Sequence, residues 1–469
     1  MTMRLKQAAA ASTAMVLVLS CGAAWAQSTG TSIVEELVVT GSKAPRDQAG
    51  LNVVETEPKS RVSVTKEFLA RQAPGQTVLD TINLLPAVNF TNNDPFGSAG
   101  GDVIVRGFDA QRVALLQDGM PLNESGNYQI YSGQQLDPEL VERVTVNLGT
   151  TDVDSPTAAA AGGTINYITR KASDKFGVRA ELAAGSDNFQ RYYATLETGA
   201  IGPWGARAWI SGLYTRNDLF KPHDSPLSPK GKIQKKQFNA RIDQQFGDIG
   251  QASLMFHYDE NRNNFINRIS LDTFNRRGRT TNANPALSNL PDTSIVAPTS
   301  CLRPTPGPGA QVDNSGANLC SSSFYDYTIN PSNTGNIRAQ SSWNLSDKLK
   351  LTFDPYFQYA LANGGGAQVF SETDPQLRGN SGAAGVDLNG DGDLLDSVYL
   401  YRPNTTNTRR YGLTSSLIWE FSEGQSLRLA YTFDRAKHRQ TGDAGYIDAG
   451  GHPEDVFGGK DGYGRPVLL

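Results

Sequence analysis

The stretch that decides the fold is residues 426–433, Ser-Leu-Arg-Leu-Ala-Tyr-Thr-Phe, in which polar and apolar side chains alternate. Successive side chains of a β-strand point to opposite faces, so a period of two predicts a strand with one apolar face. The same alternation recurs around residues 204–215, 349–359 and 411–421. These segments reach the roughly ten residues that a tilted strand needs to cross a bilayer, with aromatic residues near their ends. The pattern therefore predicts a transmembrane antiparallel β-barrel over residues 171–469.

The composition agrees with a chain of strands and turns. Of the 469 residues, 38% are apolar, 19% are charged and 47 are glycine. The net charge of −4 gives no indication of nucleic-acid binding. No stretch after residue 26 has the roughly 18 consecutive apolar residues of a membrane-spanning helix. The soluble alternative, a β-sandwich or propeller, would use shorter strands of about 5–6 residues.

The N-terminal segment carries an export signal. A basic start, a short apolar core and the Ala24-Trp25-Ala26 cleavage pattern predict a secretory signal peptide over residues 1–26. Residues 27–59 are predicted to form a flexible arm. The arm contains one apolar island with strand propensity, which could add to the edge of another protein's sheet. The island consists of Ile33, Val34, Glu35, Glu36, Leu37, Val38, Val39 and Thr40.

Residues 60–170 are predicted to form a compact α/β unit of ordinary domain size. Short helices are predicted at Thr65–Arg71 and Thr77–Leu85, each followed by a proline. Short strands are predicted at Asp102–Arg106, Arg112–Gln117, Val141–Leu148 and Gly163–Ile168.

Four motifs of this unit follow one another in a fixed order. They are Asp102-Val-Ile-Val-Arg-Gly-Phe108, Leu115-Leu-Gln-Asp-Gly-Met-Pro-Leu122, Val141-Glu-Arg-Val-Thr-Val146 and Ala161-Gly-Gly-Thr-Ile-Asn-Tyr-Ile-Thr-Arg170. Together they resemble the plug domain of TonB-dependent outer-membrane receptors, and the island at 33–40 is similar to the TonB box of that family. The resemblance singles out Arg106, Gly107, Asp118, Gly119, Glu142, Arg143, Gly162 and Gly163.

The resemblance implies a receptor in the outer membrane of a Gram-negative bacterium, and not an enzyme. Such receptors bind a scarce extracellular small molecule and import it by an energised movement of the plug. The implied partners are the periplasmic energy-transducing protein TonB, outer-membrane lipid and the extracellular ligand. The first expectation for the cargo is a ferric siderophore, with oligosaccharides or another nutrient next. A passive porin or adhesin and an inactive truncated fragment are the alternatives from other classes.

The length of the predicted barrel departs from the family. Residues 263–335 are rich in Asn, Pro, Ser and Gly and are predicted to be one long extracellular loop. The remainder of 171–469 has room for about ten or eleven strands, whereas plugged transporters of this type have 22. We therefore expect the chain to be the N-terminal part of a longer receptor, with about the first half of the barrel.

Charged residues of the plug motifs suggest one kind of site. Arg106, Asp118, Glu142 and Arg143 could form a salt-bridge lock between the plug and the barrel wall. The alternative is that they are surface charges in a polar lumen.

Two plug loops suggest a second kind of site. By resemblance, the loops 90–101 and 123–134 form the outward apices of the plug and contact the ligand. Stacking and hydrogen bonding would use Asn127, Tyr128, Gln129 and Tyr131. The alternative is ordinary loop packing.

Two further features lie in the predicted loops of the barrel. In an exported protein, Cys301 and Cys320 are expected to form a disulfide rather than to remain free thiols. No cofactor is expected to be required, but residues 387–396 suggest a structural calcium site. The candidate ligands are Asp387, Asn389, Asp391, Asp393 and Asp396. Val398 stands where a bidentate acid is expected, and the alternative is a solvated hairpin turn.

Overall fold

The computed structural model describes most of the chain after residue 59. The described residues are 60–151, 155, 157, 159–219, 231–264, 270–277, 329–378, 382–423, 425–447, 453–459 and 466–467. The predicted signal peptide, the arm with the island at 33–40, and both Cys301 and Cys320 lie outside them. No helix in the described ranges is long and apolar enough to cross a membrane.

The N-terminal unit, which we call the plug, is a small α/β domain with strands of two to eight residues. Its elements are β1 (Arg61–Thr65), α1 (Lys66–Leu69), α2 (Val78–Thr81), β2 (Val88–Asn92), β3 (Gly101–Val105), β4 (Val113–Gln117), β5 (Met120–Pro121), β6 (Val141–Leu148) and β7 (Gly163–Thr169). Five strands form one sheet in the order β1-β6-β7-β4-β5, and β2 pairs with β3. Strands β4 and β7 are parallel, and every other pair of neighbours in the two sheets is antiparallel.

The plug has its own apolar core. Alternate residues of β6, such as Val144 and Val146, are fully buried with Val64, Val113 and Ile165. Burying such side chains is the main stabilising contribution to a small domain, at roughly 1.5–3 kcal/mol each. The plug therefore has the core that an independent folding unit needs.

Two plug motifs form tight turns of the same kind. Arg106 and Gly107 both have positive φ, at 52° and 81°, between paired Val105 and Phe108. Asp118 and Gly119 have φ of 50° and 84° between β4 and β5. Two consecutive left-handed residues define the type I′ hairpin turn, in which glycine is favoured at the second position. The turns therefore explain the Arg-Gly and Asp-Gly pairs of these motifs.

The rest of the chain forms mainly one nine-stranded sheet, in which the described strands are 9 to 18 residues long. Its strands are β8 (Phe176–Ala184), β9 (Gln190–Ile201), β10 (Ala206–Asp218), β11 (Lys232–Gln245), β12 (Gly250–Asn263), β13 (Ser332–Ser346), β14 (Leu349–Asn363), β17 (Thr405–Ser422) and β18 (Gln425–Thr441). Strands β15 (Ala367–Ser371) and β16 (Ser397–Tyr401) lie between β14 and β17 in the chain and belong to another sheet. Neighbours in the sheet are all antiparallel, and β14 pairs directly with β17.

The polarity of this sheet is the reverse of that in a soluble protein. On β11 most of the buried side chains are polar, for example Lys235 and Gln237, whereas Phe238 and Ile242 are 47% and 43% exposed. On β17 the buried side chains include Thr408, Arg410 and Ser416, whereas Tyr411 is 43% exposed. A polar inner face and an apolar outer face are the arrangement of a transmembrane barrel wall.

The two ends of the sheet differ in their connections. At one end, turns of two to four residues join the strands, at 202–205, 246–249, 347–348 and 423–424. At the other end, five residues, 185–189, join β8 to β9, and the other connections are long, at 219–231, 264–331 and 364–404. We call these the tight-turn end and the long-loop end. Short turns on one side and long loops on the other are typical of outer-membrane barrels.

A small four-stranded sheet, which we call the cap sheet, lies among the long loops. It consists of β15, β16, β19 (Ala444–Gly445) and β20 (Pro466–Val467). Phe370, Leu388 and Leu400 belong to its apolar core. Helix α3 (Leu271–Arg277) lies within the 264–331 connection, and α4 (Pro375–Arg378) follows β15.

Several predicted boundaries need correction. The helix predicted at 65–71 ends at Leu69, and the one predicted at 77–85 ends at Thr81 and continues as a 3-10 turn. The Thr81 hydroxyl donates to the Val78 carbonyl at 2.7 Å, a local bond that competes with a longer helix. The loop predicted at 263–335 is shorter, because β13 already begins at Ser332 and pairs with β14 there.

Candidate functional site

The plug contacts the inner face of the large sheet through two clusters of charged residues. The first, the Asp118 cluster, comprises Asp118 in the β4–β5 turn, Thr169 at the end of β7 and Arg338 in the middle of β13. The Arg338 Nε donates to Asp118 Oδ2 at 2.7 Å, and its Nη2 donates to Thr169 Oγ1 at 2.8 Å. Thr169 donates its N–H and its hydroxyl to the two carboxylate oxygens, at 2.8 and 2.7 Å. The three residues thus form a closed ring of hydrogen bonds.

The electrostatics of Asp118 follow from this arrangement. The side chains of Asp118 and Arg338 are both 2% exposed. Burial disfavours the charged carboxylate, but the charges of Arg338 and Arg241 and the bonds from Thr169 outweigh burial and lower the pKa of Asp118. Asp118 is therefore ionised at neutral pH and acts as a fixed negative charge opposite a buried guanidinium.

The second, the Asp137 cluster, lies nearer the long-loop end. Asp137 accepts from Arg191 of β9 at 2.9 Å and from Lys235 of β11 at 2.7 Å. Arg191 also contacts Glu139 at 3.0 Å. Burial would raise the pKa of Asp137, but the positive charges of Lys235 and Arg191 outweigh this effect and lower the pKa. Two different wall strands therefore hold one plug carboxylate.

Neutral groups extend this second contact along the plug backbone. Gln237 donates to the Gln135 carbonyl at 2.7 Å, and Asn261 donates to the Gly133 carbonyl at 2.6 Å. The His257 Nε2 lies 3.3 Å from the Gln134 carbonyl. Carbonyl oxygens of a buried loop need such partners, and here the wall provides them.

The other charged plug residues predicted for a lock contact the plug itself. Arg106 donates to the Leu148 carbonyl at 3.0 Å, and Glu142 pairs with Lys66 at 2.7 Å on the plug surface. Arg143 lies on β6, paired in register with Thr65. These contacts of Arg106 and Glu142 are therefore with other plug residues, and they do not fit the predicted salt bridges to the wall.

The Gly-Gly motif has a packing role at the start of β7. Gly163 has a φ of +121°, and a Cβ there would lie 1.9 Å from the Asn147 carbonyl oxygen. A Cβ on Gly162 would lie 2.8 Å from the Cβ of Phe108. The two glycines thus allow β7 to approach β6 and the Arg106 turn closely.

A cavity of about 530 Å³ opens above the plug at the long-loop end. Its floor is formed by the plug loops that the sequence predicted as apices, including Asn127, Gln129 and Tyr131. Its wall includes Asn263 and Asn363 at the ends of β12 and β14. Tyr128 instead lines a second cavity of about 400 Å³ beside β17 and β18. The structure thus brings three of the four predicted ligand residues to one cavity.

The chemistry of the larger cavity is that of neutral hydrogen bonding. Its described lining includes seven Asn and three Gln residues, and Tyr131 adds an aromatic ring. Among the described residues that line it, the titratable ones besides Tyr131 are Asp102, Glu124 and His438, and none is Lys or Arg. Amide groups both donate and accept, so this lining suits a ligand rich in hydroxyl, carbonyl or amide groups.

One contact fixes the apex loop against the wall. The Glu124 carboxylate accepts from the backbone N–H of Gly126 and Asn127, both at 2.8 Å. Its other oxygen lies 2.9 Å from Nδ1 of His438 on β18. Arg410 of β17 also donates to the Asn123 carbonyl at 3.0 Å. The loop that carries Asn127 and Tyr131 is therefore held in place by two wall strands.

The predicted calcium residues form a compact turn in the 364–404 connection. Asp387 accepts from the backbone N–H groups of Gly390 and Gly392, at 2.7 and 2.9 Å. Asn389 donates to Asp396 at 2.7 Å. Glu372, which the sequence analysis did not single out, lies beside Asp393 and Asp396. Sequence spacing could not identify it, because it directly follows β15 and precedes Asp387 by 15 residues.

The large sheet has an apolar outer face and a polar inner face, and the small α/β domain is bound to the inner face. This arrangement is that of a barrel wall with a plug. Residues 53–164 match the family model described as the TonB-dependent Receptor Plug Domain. This chain therefore carries the plug domain of the TonB-dependent receptors, which confirms the resemblance seen in the four motifs.

Two curated relatives match part of this chain. The ferric enterobactin receptor PirA of Pseudomonas aeruginosa is 28% identical over 148 residues, which are 28% of this chain and 19% of the relative. The probable TonB-dependent siderophore receptor PirA of Acinetobacter baumannii is 25% identical over 158 residues, 30% of this chain and 19% of the relative.

Two solved structures share the fold. The unliganded ferric citrate transporter FecA superposes with a TM-score of 0.57 at 12% identity, over 84% of this chain and 49% of that one. FpvA of P. aeruginosa, bound to a heterologous ferric pyoverdine, gives 0.54 at 15% identity, over 88% and 46%. The matches thus span about half of each solved structure, and they establish the plug and the barrel-type sheet.

Proposed function

We propose that this chain acts as a TonB-dependent receptor of the Gram-negative outer membrane, which binds an extracellular solute and imports it by movement of the plug. The observation that carries the proposal is the attachment of the plug to the inner wall through the Asp118 and Asp137 clusters, beneath an open cavity at the long-loop end. The outward apolar face supports contact with lipid. The role is transport rather than catalysis.

The two clusters give this movement a physical basis. Separating one partner from a buried ion pair leaves an uncompensated charge and costs roughly 3–5 kcal/mol. Thermal motion would rarely break both clusters together, so the plug stays in place until work is applied. The island at 33–40 precedes the plug in sequence and is the proposed handle, because an exposed strand can pair with the edge of a TonB sheet.

The experiment that tests this proposal separates binding from import. Cells that produce the full receptor with residues 33–40 deleted should bind a radiolabelled ferric siderophore as well as the intact receptor does, but should no longer accumulate it. A deletion of residues 42–49 removes the same length of arm and is the matched control, with uptake retained. Undiminished uptake without residues 33–40 would contradict the proposal and favour a passive porin.

The first proposed cargo is a ferric siderophore. The support is that one of the curated relatives is named as a ferric enterobactin receptor and another as a probable TonB-dependent siderophore receptor. Equilibrium binding of a panel of iron-loaded siderophores to the purified receptor tests it, with the iron-free forms as controls.

An oligosaccharide is the second candidate, and a specific observation favours it. The lining of the larger cavity is rich in Asn and Gln, with Tyr131 on the floor and, among the described residues, no Lys or Arg to neutralise an anionic iron complex. Neutral sugars are recognised by amide hydrogen bonds and aromatic stacking. Binding of maltodextrins or xylo-oligosaccharides in the same assay, without binding of siderophores, would select this candidate.

A further inference from the structure

We propose that the turn 387–396, completed by Glu372, binds one calcium ion that joins the two strands of the β15–β16 hairpin in the cap sheet. The site is separate from the cavity and from both plug clusters. It stands whether or not the proposed function is correct.

The sequence of the turn supplies part of a calcium loop. Asp387, Asn389 and Asp391 occupy the first, third and fifth positions, and Gly392 occupies the sixth. Calcium loops place oxygen ligands at the odd positions and glycine at the sharp bend. The twelfth position, where a bidentate acid is expected, is Val398. The loop alone is therefore short of one strong ligand.

The structure provides that acid from Glu372, which directly follows β15. Carboxylate oxygens of Glu372, Asp393 and Asp396 lie within 4.8 Å of one another. Two oxygens bound to the same calcium ion at about 2.3–2.6 Å can be up to about 5 Å apart. The residues Glu372 and Asp396 are both fully buried. Three acidic side chains thus converge at the spacing that a shared cation requires.

A separate observation points to a missing ligand. Asp391 is 9% exposed, and its Oδ2 is buried without a hydrogen-bond partner in the part of the chain that the structure describes. Its Oδ1 accepts from the Asp393 N–H at 3.1 Å. A buried carboxylate oxygen without a partner is costly, and a cation at this cluster would satisfy it.

The donor set selects the kind of cation. All the candidate ligands offer oxygen, from carboxylates and one amide, which excludes a preference for soft metals. Calcium accepts six to eight oxygens in flexible geometry, whereas magnesium requires near-ideal octahedral sites. A turn assembled from two strands and an irregular loop fits calcium better.

The position of the site gives the ion a structural role. Glu372 directly follows β15, and Asp396 directly precedes β16. At the far end of β16, the Tyr401 hydroxyl donates to Asn363 Oδ1 at 3.3 Å, and Asn363 lines the larger cavity. The ion would therefore close the hairpin at one end while the hairpin supports the cavity wall at the other.

The test is a titration of the full receptor, purified in detergent and stripped of metal with EGTA, by calorimetry with calcium chloride. We expect one ion per chain, displacement by terbium, and at least tenfold weaker binding of magnesium. Limited proteolysis in the 372–397 region should slow at least fivefold when calcium is added.

Two substitutions and one control assign the site. Glu372→Gln and Asp391→Asn should each weaken calcium binding at least tenfold. Asp347→Asn makes the same charge change in an exposed turn at the tight-turn end and should leave binding unchanged. Each variant is first checked for the wild-type heat-modifiable band, which reports a folded sheet. Failure of the folded wild-type receptor to bind calcium overturns the proposal, and so does equal binding by the control and both variants.

Discussion

Asp118 and Arg338 lie 220 positions apart in the chain, yet their carboxylate and guanidinium approach to 2.6 Å inside the protein. One residue belongs to a tight turn of the plug and the other to the middle of a wall strand. The contact therefore reports directly whether the plug is docked against the wall.

Replacing this carboxylate should loosen the plug. Asp118→Asn leaves the Arg338 guanidinium buried without its counter-charge, and we expect the free energy of plug docking to fall by roughly 3–5 kcal/mol. Hydrogen exchange of β4 to β7 in the detergent-solubilised receptor measures this change as the free energy of local opening.

The control for this substitution is Asp109→Asn. Asp109 pairs with Arg112 at 2.7 Å, but both side chains are more than half exposed. Such surface pairs contribute about 0–1 kcal/mol, so exchange should be nearly unchanged. If Asp118→Asn and Asp109→Asn behaved alike, the Asp118 cluster would not hold the plug.

The docking of the plug should also depend on pH in a specific direction. The pKa values of Asp118 and Asp137 are lowered in the folded protein. An aspartate whose pKa is lowered by folding contributes its full stabilisation at pH values above its pKa in the unfolded chain, about 3.9. This stabilisation is lost as the pH falls through the pKa of the aspartate in the folded protein. We therefore expect constant plug protection from pH 8 to 5, and a loss that begins only below about pH 4.

Protease accessibility of the plug between pH 8 and pH 3 checks this expectation, with an acid-stable protease such as pepsin for the low range. In Asp137→Asn, part of the acid dependence should disappear, because one of the two carboxylates no longer titrates. A midpoint of release near pH 6 would contradict the assignment to these two acids.

The second glycine of the Gly-Gly motif should not tolerate a side chain. In Gly163→Ala the Cβ would lie 1.9 Å from the Asn147 carbonyl, at a φ of +121°. Backbone strain and overpacking together should destabilise the plug by more than about 3 kcal/mol. Gly177→Ala is the matched control on β8, because nothing lies within 4 Å of its Cβ. The measurement is thermal unfolding of both variants. Equal midpoint temperatures for the two would contradict this prediction.

Ligand affinity should depend on the aromatic ring at the cavity floor. Tyr131→Ala removes a stacking surface from the larger cavity, and we expect roughly tenfold weaker binding of the cognate ligand, about 1.4 kcal/mol. Tyr192→Ala removes an equal ring from the outward face, where Tyr192 is 49% exposed, and should not change affinity. Equal affinity of both variants in an equilibrium binding assay would exclude the cavity as the ligand site.

The sequence predicted the wall and the plug for simple physical reasons. Period-two alternation marked the faces of β10, β14, β17 and β18, and the β6 bounds, Val141–Leu148, agree with the predicted strand. Gly107 and Gly119 are suited to the turns found there, because few other residues adopt positive φ. These are local properties, which a single sequence records.

The partners of the plug could not be predicted in the same way. Arg338 and Lys235 occupy inward positions on their strands, where polar residues of every kind occur. Which of them meets a plug carboxylate depends on the register of nine strands and the orientation of the plug. Glu372 could not be predicted for a similar reason, because it approaches the 387–396 turn from across a hairpin. Long-range pairing leaves little local signal.

The order of these residues along the chain has a consequence for assembly. Asp137 meets Arg191 and Lys235 only after 54 and 98 further residues, and Asp118 meets Arg338 only after 220. Contacts so distant in sequence form slowly, because the entropy of closing large loops opposes them. During biogenesis the acids of the plug are thus synthesised first and must wait, solvated, for their cations. The plug can therefore dock fully only after the wall strands have paired in the correct register.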